Sequence, residues 1–332
     1  MTPAELSWTV LSTVRRAVAA DELRVAVPEK VVVQRPPRPG CGDYATNVAM
    51  QLAGQAGRTA REVAEILAVR LAKEPGIAQV EIAGTGFLNI TLSARAYADV
   101  VRQVREQGAD YGRGDGLAGE TVTVVPEPPH APRAALVAEV VNGLLRAAGA
   151  ETAAGGRLEG LSAAEPAQDP GARGLGPDAT RWSLLRPPAE DTPRPGPALL
   201  DQREANPLFR VRYANARTRA LLRNAHDLGV RVEAAARDPY RHPAETELLG
   251  LIADFPRVVE TAARRRAPDR LARHLERLGD AFLRFQDECP ALPKGDEKPS
   301  AVHAARVRLA DATGIVLADG LHLLGISAPD HL

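Results

Sequence analysis

Cysteine is almost missing from this 332-residue chain: Cys41 and Cys289 are too few for a disulfide framework, and their spacing fits no zinc site. Net charge is missing too. The 42 basic and 42 acidic side chains cancel, so no global field steers the protein toward nucleic acid or membrane, and any such binding must come from local patches. No apolar run approaches the ~20 residues of a membrane span, and the amphipathic first segment, with Glu5, Arg15 and Arg16, does not read as a signal peptide. A soluble, cytoplasmic protein with no membrane partner is expected. Aromatics make up only 4%, and lysine is confined to Lys30, Lys73, Lys294 and Lys298. Small residues and arginine dominate instead. A hydrophobic content of 45% supports real cores, and the length fits two or three domains at ~100–200 residues each.

Thr2-Pro3-Ala4-Glu5 is a capping box with proline at the first helical position. Leu6, Val10, Leu11 and Val14 then recur at helical spacing, predicting a helix to about Ala20. Val31–Val33 reads as a short strand, and Ala45, Val48, Ala49 and Leu52 as a second helix. Thr59 and Glu62 form another capping box, opening a helix whose inner face is Val63, Ile66, Leu67 and Leu71. Val80 and Ile82, then Leu88, Ile90 and Leu92, alternate around Gly84-Thr85-Gly86, a hairpin signal. Ser93 caps a further helix to about Glu106. Residues 1–115 are therefore expected to form an α+β domain. Residues 116–150 add one strand at Val122–Val125 and one helix at Ala134–Ala148. Residues 151–204 are rich in Gly, Pro and Ala without hydrophobic period, which predicts a flexible linker. From residue 205 to 332 the pattern is all helical: Leu248, Ile252, Phe255, Val259 and Ala262 form one stripe, and Leu271, Leu275, Leu278, Phe282 and Phe285 another.

The run Gly42-Asp43-Tyr44-Ala45-Thr46-Asn47-Val48-Ala49-Met50-Gln51-Leu52-Ala53 is similar to a motif in the N-terminal additional domain of arginyl-tRNA synthetases, and Val80–Asn89 resembles the same domain's hairpin. Asn206–Arg217, with the sequence Asn-Pro-Leu-Phe-Arg-Val-Arg-Tyr-Ala-Asn-Ala-Arg, resembles the opening helix of the family's anticodon-binding domain, and Leu321–Pro329 its C-terminal ending. The resemblance covers about three quarters of the chain. It implies an α+β N-terminal domain followed by an all-α bundle of the class I anticodon-binding type. The family's activity is ATP-dependent arginine–tRNA ligation.

The middle departs from that family. Class I synthetases hold ATP with a His-x-Gly-His turn after the first strand of a Rossmann sheet, against the following helix N-terminus. The matching stretch here is Pro126-Glu127-Pro128-Pro129-His130-Ala131-Pro132-Arg133, with Pro132 at the Gly position and Arg133 at the second His. Only 54 residues, 151–204, then precede the C-terminal domain, while one βαβ unit alone takes ~30. No lysine loop of the second class I motif occurs. The expectation is no catalytic residue, no cofactor and no metal. Gly114-x-Gly116-x-x-Gly119 precedes a strand instead of following one, so it reads as a loop.

Asn206–Arg223 carries Arg210, Arg212, Arg217, Arg219 and Arg223 and no acid. Guanidinium groups fork phosphates, and Tyr213, one turn from Arg217, offers a ring to an unstacked base. The resemblance assigns anticodon contact to the positions of Arg210, Tyr213 and Arg217. A half-buried bundle role for Tyr213 stays open. Elbow contact is implied for the Gly42-Asp43-Tyr44 turn, Asn47 and Arg38, with Asp43 and Asn47 open to a structural role. Arg266, Arg270, Arg273 and Arg277 either line an RNA-facing stripe, broken near Pro268, or a solvated one. The implied function is a noncatalytic tRNA binder, with arginine isoacceptors as the tRNA. The alternatives are a regulatory module with a protein partner and, least favoured, residual arginine–tRNA ligase activity.

Overall fold

A computed structural model describes residues 1–36, 40–152, 156–166, 174–232 and 240–332. The chain divides into two compact units, Met1–Val100 and Val101–Leu332, ahead of the boundary expected at Asp115.

The first unit begins with helix α1 (Pro3–Ala19), where Thr2 Oγ accepts from Glu5 N at 3.3 Å and the Glu5 carboxylate accepts from Thr2 N at 2.7 Å. Strand β1 (Tyr44–Thr46), helices α2 (Val48–Ala56) and α3 (Ala60–Leu71), and strands β2 (Ile77–Ala83) and β3 (Phe87–Leu92) follow. Helix α3 opens on the Thr59–Glu62 capping box. The three strands form an antiparallel sheet in the order β1-β3-β2. Leu6, Val10, Val14, Val48, Val63, Leu67, Leu71, Leu88 and Ile90 are fully buried and make the core. Two local expectations fail. Residues 31–33 form no strand, although Val31 and Val33 are buried. Ala45 is not helical: its N–H and C=O are taken by Gln34, at 2.7 and 2.9 Å, within the β1 pairing. The helix can begin only after Asn47.

Helix α4 (Ala94–Gln107) spans the division. The second unit then builds strand β4 (Val122–Pro126), helix α5 (Pro132–Ala147), strand β5 (Arg157–Leu161) and helix α6 (Gly176–Leu185). The bundle helices are α7 (Pro207–Asp227), α8 (Pro243–Arg265), α9 (Asp269–Glu288) and α10 (Ala301–Leu323). Both predicted stripes, on α8 and α9, are fully buried.

The stretch 151–204 is where expectation and structure differ most. It contains β5, which pairs in parallel with β4 from Val122↔Arg157 to Pro126↔Leu161, and α6, whose Trp182 is 1% exposed. The remnant is thus one complete βαβ unit, not an isolated strand and helix. On the edge of β4 away from β5, Asn142 of α5 accepts from Val124 N at 2.9 Å and donates to Val124 O at 2.8 Å. An amide side chain stands where a further strand would pair.

The physical reason for the order is Arg133. Its side chain is fully buried and donates to six backbone carbonyls: Leu184 (3.0 Å), Ala164 (2.6 Å), Ala189 (3.2 Å), Asp191 (2.6 Å), Pro187 (3.1 Å) and Pro188 (2.8 Å). A guanidinium has five N–H donors and no acceptor, so a ring of carbonyls satisfies it completely. Burial lowers its pKa from the ordinary arginine value, while Glu165, Asp191, Glu190 and Asp269 oppose that shift.

Arg133→Ala is expected to cost at least about 3 kcal/mol, since it leaves buried carbonyls without their cation. Limited trypsinolysis should then cut within residues 174–204, where the wild type resists; equal resistance in both would contradict the role. Arg133→Lys should fall between them, having three donors for six acceptors. A second test concerns Asp319, a buried carboxyl on α10 whose pKa burial pushes up to about 6, with Arg113 opposing and Asp110 adding. The folded state holds this proton more tightly than the unfolded chain, so stability falls as pH rises from about 4 to about 6. Asp319→Asn should raise the melting midpoint at pH 8 by roughly 2–4 °C. The advantage should vanish below about pH 4, where both states are protonated.

Candidate nucleic-acid interface

Helix α7 opens on Asn206, whose side chain accepts from Leu208 N at 3.0 Å and Phe209 N at 3.3 Å. Val211, Ala214, Asn215, Thr218 and Leu221 face the bundle and are buried, which turns Tyr213 and Arg217 outward. Tyr213 is 37% exposed and stacks on Phe209, one turn earlier, with ring centroids 5.4 Å apart and planes 19° from parallel. Phe209 was not singled out from the sequence, although its i, i+4 spacing from Tyr213 carried the signal of this stack. The pair forms a ledge whose outer ring remains accessible.

The five arginines of this segment do not share one task. Arg212 lies 3.6 Å from Asp178 and donates to Ser327; Arg219 lies 3.5 Å from Asp330; Arg223 approaches His331 at 3.5 Å. Together with Asn215, which donates to Pro329 O at 2.9 Å, they connect the C-terminal residues to α7. Arg210 faces Asp280 of α9 at 2.9 Å, an ion pair whose angles fall short of a hydrogen bond, and donates to Glu204 O at 2.7 Å. Among the described residues Arg217 forms no ion pair, its Nε donating to the neutral Gln286 at 3.3 Å, and Arg223 meets only the His331 ring. Of the three residues expected here, Tyr213 and Arg217 are offered to solvent and Arg210 is largely neutralised.

In the first unit, Gly42 has φ +80°, and a Cβ there would lie 3.0 Å from Ile90 O, so only glycine fits the turn against β3. The Asp43 carboxylate accepts from Leu92 N at 2.7 Å, and its backbone N donates to Ile90 O at 2.9 Å. It also bonds Tyr97, whose hydroxyl pKa burial pushes far above the ordinary value, with Asp43 adding to the shift. Tyr44 is 1% exposed, with Arg35 lying 5.9 Å above its ring. Asn47 makes no cap; its side chain accepts from Gln51 at 3.1 Å. Gly42, Asp43 and Tyr44 therefore brace the turn. Arg38 lies outside the described residues.

The stretch after β4 has the strand–turn–helix layout of a phosphate site, but its occupants are internal. Pro132 begins α5, and the Glu165 carboxylate accepts from Arg133 N at 3.0 and 3.3 Å. A carboxylate at a helix N-terminus takes the place and the favourable dipole of a phosphate. His130 is exposed and apart from this cage. Among the described residues no cluster of His, Cys, Asp or Glu could hold a metal, and no helix is long and apolar enough to cross a membrane.

Comparison with known proteins agrees with this division. The DALR anticodon binding domain matches residues 211–332, and the arginyl tRNA synthetase N terminal domain matches residues 10–92. An arginine–tRNA ligase from Frankia alni is 28% identical over 552 aligned residues that span all of both chains. With 332 residues in this chain, 220 of those positions hold none of its residues. A ligase of the same name from Clavibacter sepedonicus is 43% identical over 159 residues, 48% of this chain and 29% of its own. The crystal structure of the arginyl-tRNA synthetase from Plasmodium falciparum shares the fold, with a TM-score of 0.71 at 10% identity over 99% of both chains. The Thermus thermophilus arginyl-tRNA synthetase gives 0.64 at 13% identity over all of both. The chain is thus arginyl-tRNA synthetase-like, joining that family's N-terminal domain to a DALR anticodon-binding domain.

Proposed function

We propose that this chain is a noncatalytic, cytoplasmic paralogue of the arginyl-tRNA synthetases that binds tRNA, arginine isoacceptors foremost, without charging it. The Phe209–Tyr213 ledge with Arg217 one turn beyond carries the reading. A ring of this kind takes a splayed loop base by stacking, and the neighbouring guanidinium takes the phosphate beside it. The N-terminal domain serves the elbow, through Asn47 and the turn braced by Gly42, Asp43 and Tyr44, with Arg38 kept as a candidate from the sequence. The absence of catalysis is supported by the α5 N-terminus, where Glu165 accepts from Arg133 N and the Arg133 side chain is tied to Ala164 and to residues 184–191. The relatives' ligase activity needs ATP bound at such a turn, and one βαβ unit offers no second half of a doubly wound sheet.

A second reading, a regulatory module that binds a protein, draws on the cancelled net charge and on the three α7 arginines committed to the C-terminal residues. Nonspecific RNA affinity comes from phosphate neutralisation, and little is left over here for it. The ledge favours RNA, because a protein interface does not require an exposed stacked pair beside an unpaired guanidinium.

Two measurements separate these readings. Tyr213→Ala should weaken binding of an arginine tRNA by ~1–3 kcal/mol while Tyr213→Phe changes little, and Arg217→Ala should lower the salt dependence by about one phosphate contact. Equal binding by all variants would remove the ledge from the interface, and no binding by the wild type would favour the protein partner. Separately, arginine-dependent ATP–pyrophosphate exchange should be absent with or without tRNA. Exchange above a blank, by protein free of host synthetase, would restore the ligase alternative.

A further inference from the structure

The arginine stripe seen in the sequence is cut by the chain. Arg266 caps α8 in the left-handed conformation and pairs with Glu159 through Nε and one Nη of its guanidinium, at 3.1 and 3.0 Å. The remaining members, Arg270, Arg273 and Arg277, instead meet Arg257 of α8 and Arg186 from the end of α6 around a cleft of about 600 Å³. The cleft also holds two acids. Glu276 is taken by Arg186 at 3.0 and 3.2 Å, and Asp269 lies 3.5 Å from Arg273. Arg257 pairs with Asp254 at 3.2 Å, outside the cleft lining. Arg270 and Arg277 are exposed, and neither side chain forms an ion pair or a hydrogen bond among the described residues, although Asp269 lies within electrostatic reach of Arg270. In a chain whose charges cancel overall, two uncommitted guanidiniums beside three paired ones are a local excess, and the first turn of α9 adds its positive dipole end.

Position along α9 gives the cleft its direction. Arg277 stands one turn before Asp280, the partner of Arg210, and Arg217 of the ledge meets the same helix farther along, at Gln286. From Asp280 back to Arg270 is about 15 Å at 1.5 Å per residue, longer than the gap between neighbouring phosphates of one strand. We infer that this cleft is a phosphodiester-binding track that continues from the Tyr213–Arg217 ledge and holds the RNA backbone leading away from the stacked base. The inference rests on the tRNA-binding reading and extends it to a second, purely electrostatic surface. Such contacts position an RNA without reading its sequence.

The experiment titrates labelled tRNA into full-length wild type, Arg270→Ala/Arg277→Ala and Tyr213→Ala at several salt concentrations. Both altered arginines are exposed and unpaired, so thermal midpoints should match. The track predicts a slope of log affinity against log salt shallower by about 1.4–1.8 in the double variant, with a similar loss for arginine and bulk tRNA. Tyr213→Ala should lose affinity at unchanged slope. Wild-type binding with an unaltered slope in the double variant would overturn the track alone. Failure of the wild type to bind tRNA would overturn the track together with the function it extends. Inorganic pyrophosphate raising the midpoint of wild type but not of the double variant, with tRNA slopes equal, would mark a small-anion site and overturn the RNA assignment.

Discussion

A single buried guanidinium organises the middle of this protein. Moving a cation out of water costs several kcal/mol unless every donor is satisfied, and Arg133 meets that demand with six carbonyls drawn from residues 164 to 191. Carbonyls from a Gly- and Pro-rich stretch can converge this way because little regular pairing competes for them. Three consequences follow from the one contact. Residues after β5 are drawn against the start of α5, Glu165 reaches the Arg133 N–H at that helix's first turn, and α6 is brought to bury Trp182. At the strand–turn–helix junction after β4, this chain places its own carboxylate and its own cation.

The outer elements were legible from sequence because their signals are local. Capping boxes at Thr2 and Thr59, the hairpin around Gly84–Gly86 and the stripes on α8 and α9 each show within one or two turns. What escaped was carried by distant partners. Strand β5 reads Arg-Leu-Glu-Gly-Leu and buries only its last residue, so no alternation marks it, and its partner β4 lies more than thirty residues back. Helix α6 begins at Gly-Pro inside a stretch whose composition suggests disorder. Val31–Val33 had the right residue types, yet only Gln34 makes a bridge. Arg133 gave the opposite problem: its identity counted against nucleotide binding, while its positive role needed the fold to be seen.

The interface was half legible for a related reason. A run of arginines without acids marks a helix as electropositive, but not where each cation is spent. Arg212, Arg219 and Arg223 face acids or a ring from the C-terminal residues and Asp178, and Arg210 faces Asp280. The Gly42-Asp43-Tyr44 turn likewise proved to be bracing, with Asp43 bonded to Leu92 N and Tyr97. Under the proposed function, those commitments leave the RNA chemistry to a few side chains: the Phe209–Tyr213 ledge, Arg217, Arg270 and Arg277. A protein with no net charge can then hold one class of RNA without collecting polyanions generally.

Binding without charging is the centre of this account, and one assay addresses both halves at once. Labelled arginine tRNA is incubated with ATP, arginine and enough protein to saturate it, and the 3′ end is resolved on an acid gel while a parallel sample reports complex formation. A saturable complex in which the 3′ end stays uncharged is the expected result. Arginylated tRNA rising with protein concentration, or no complex at any concentration, would contradict it.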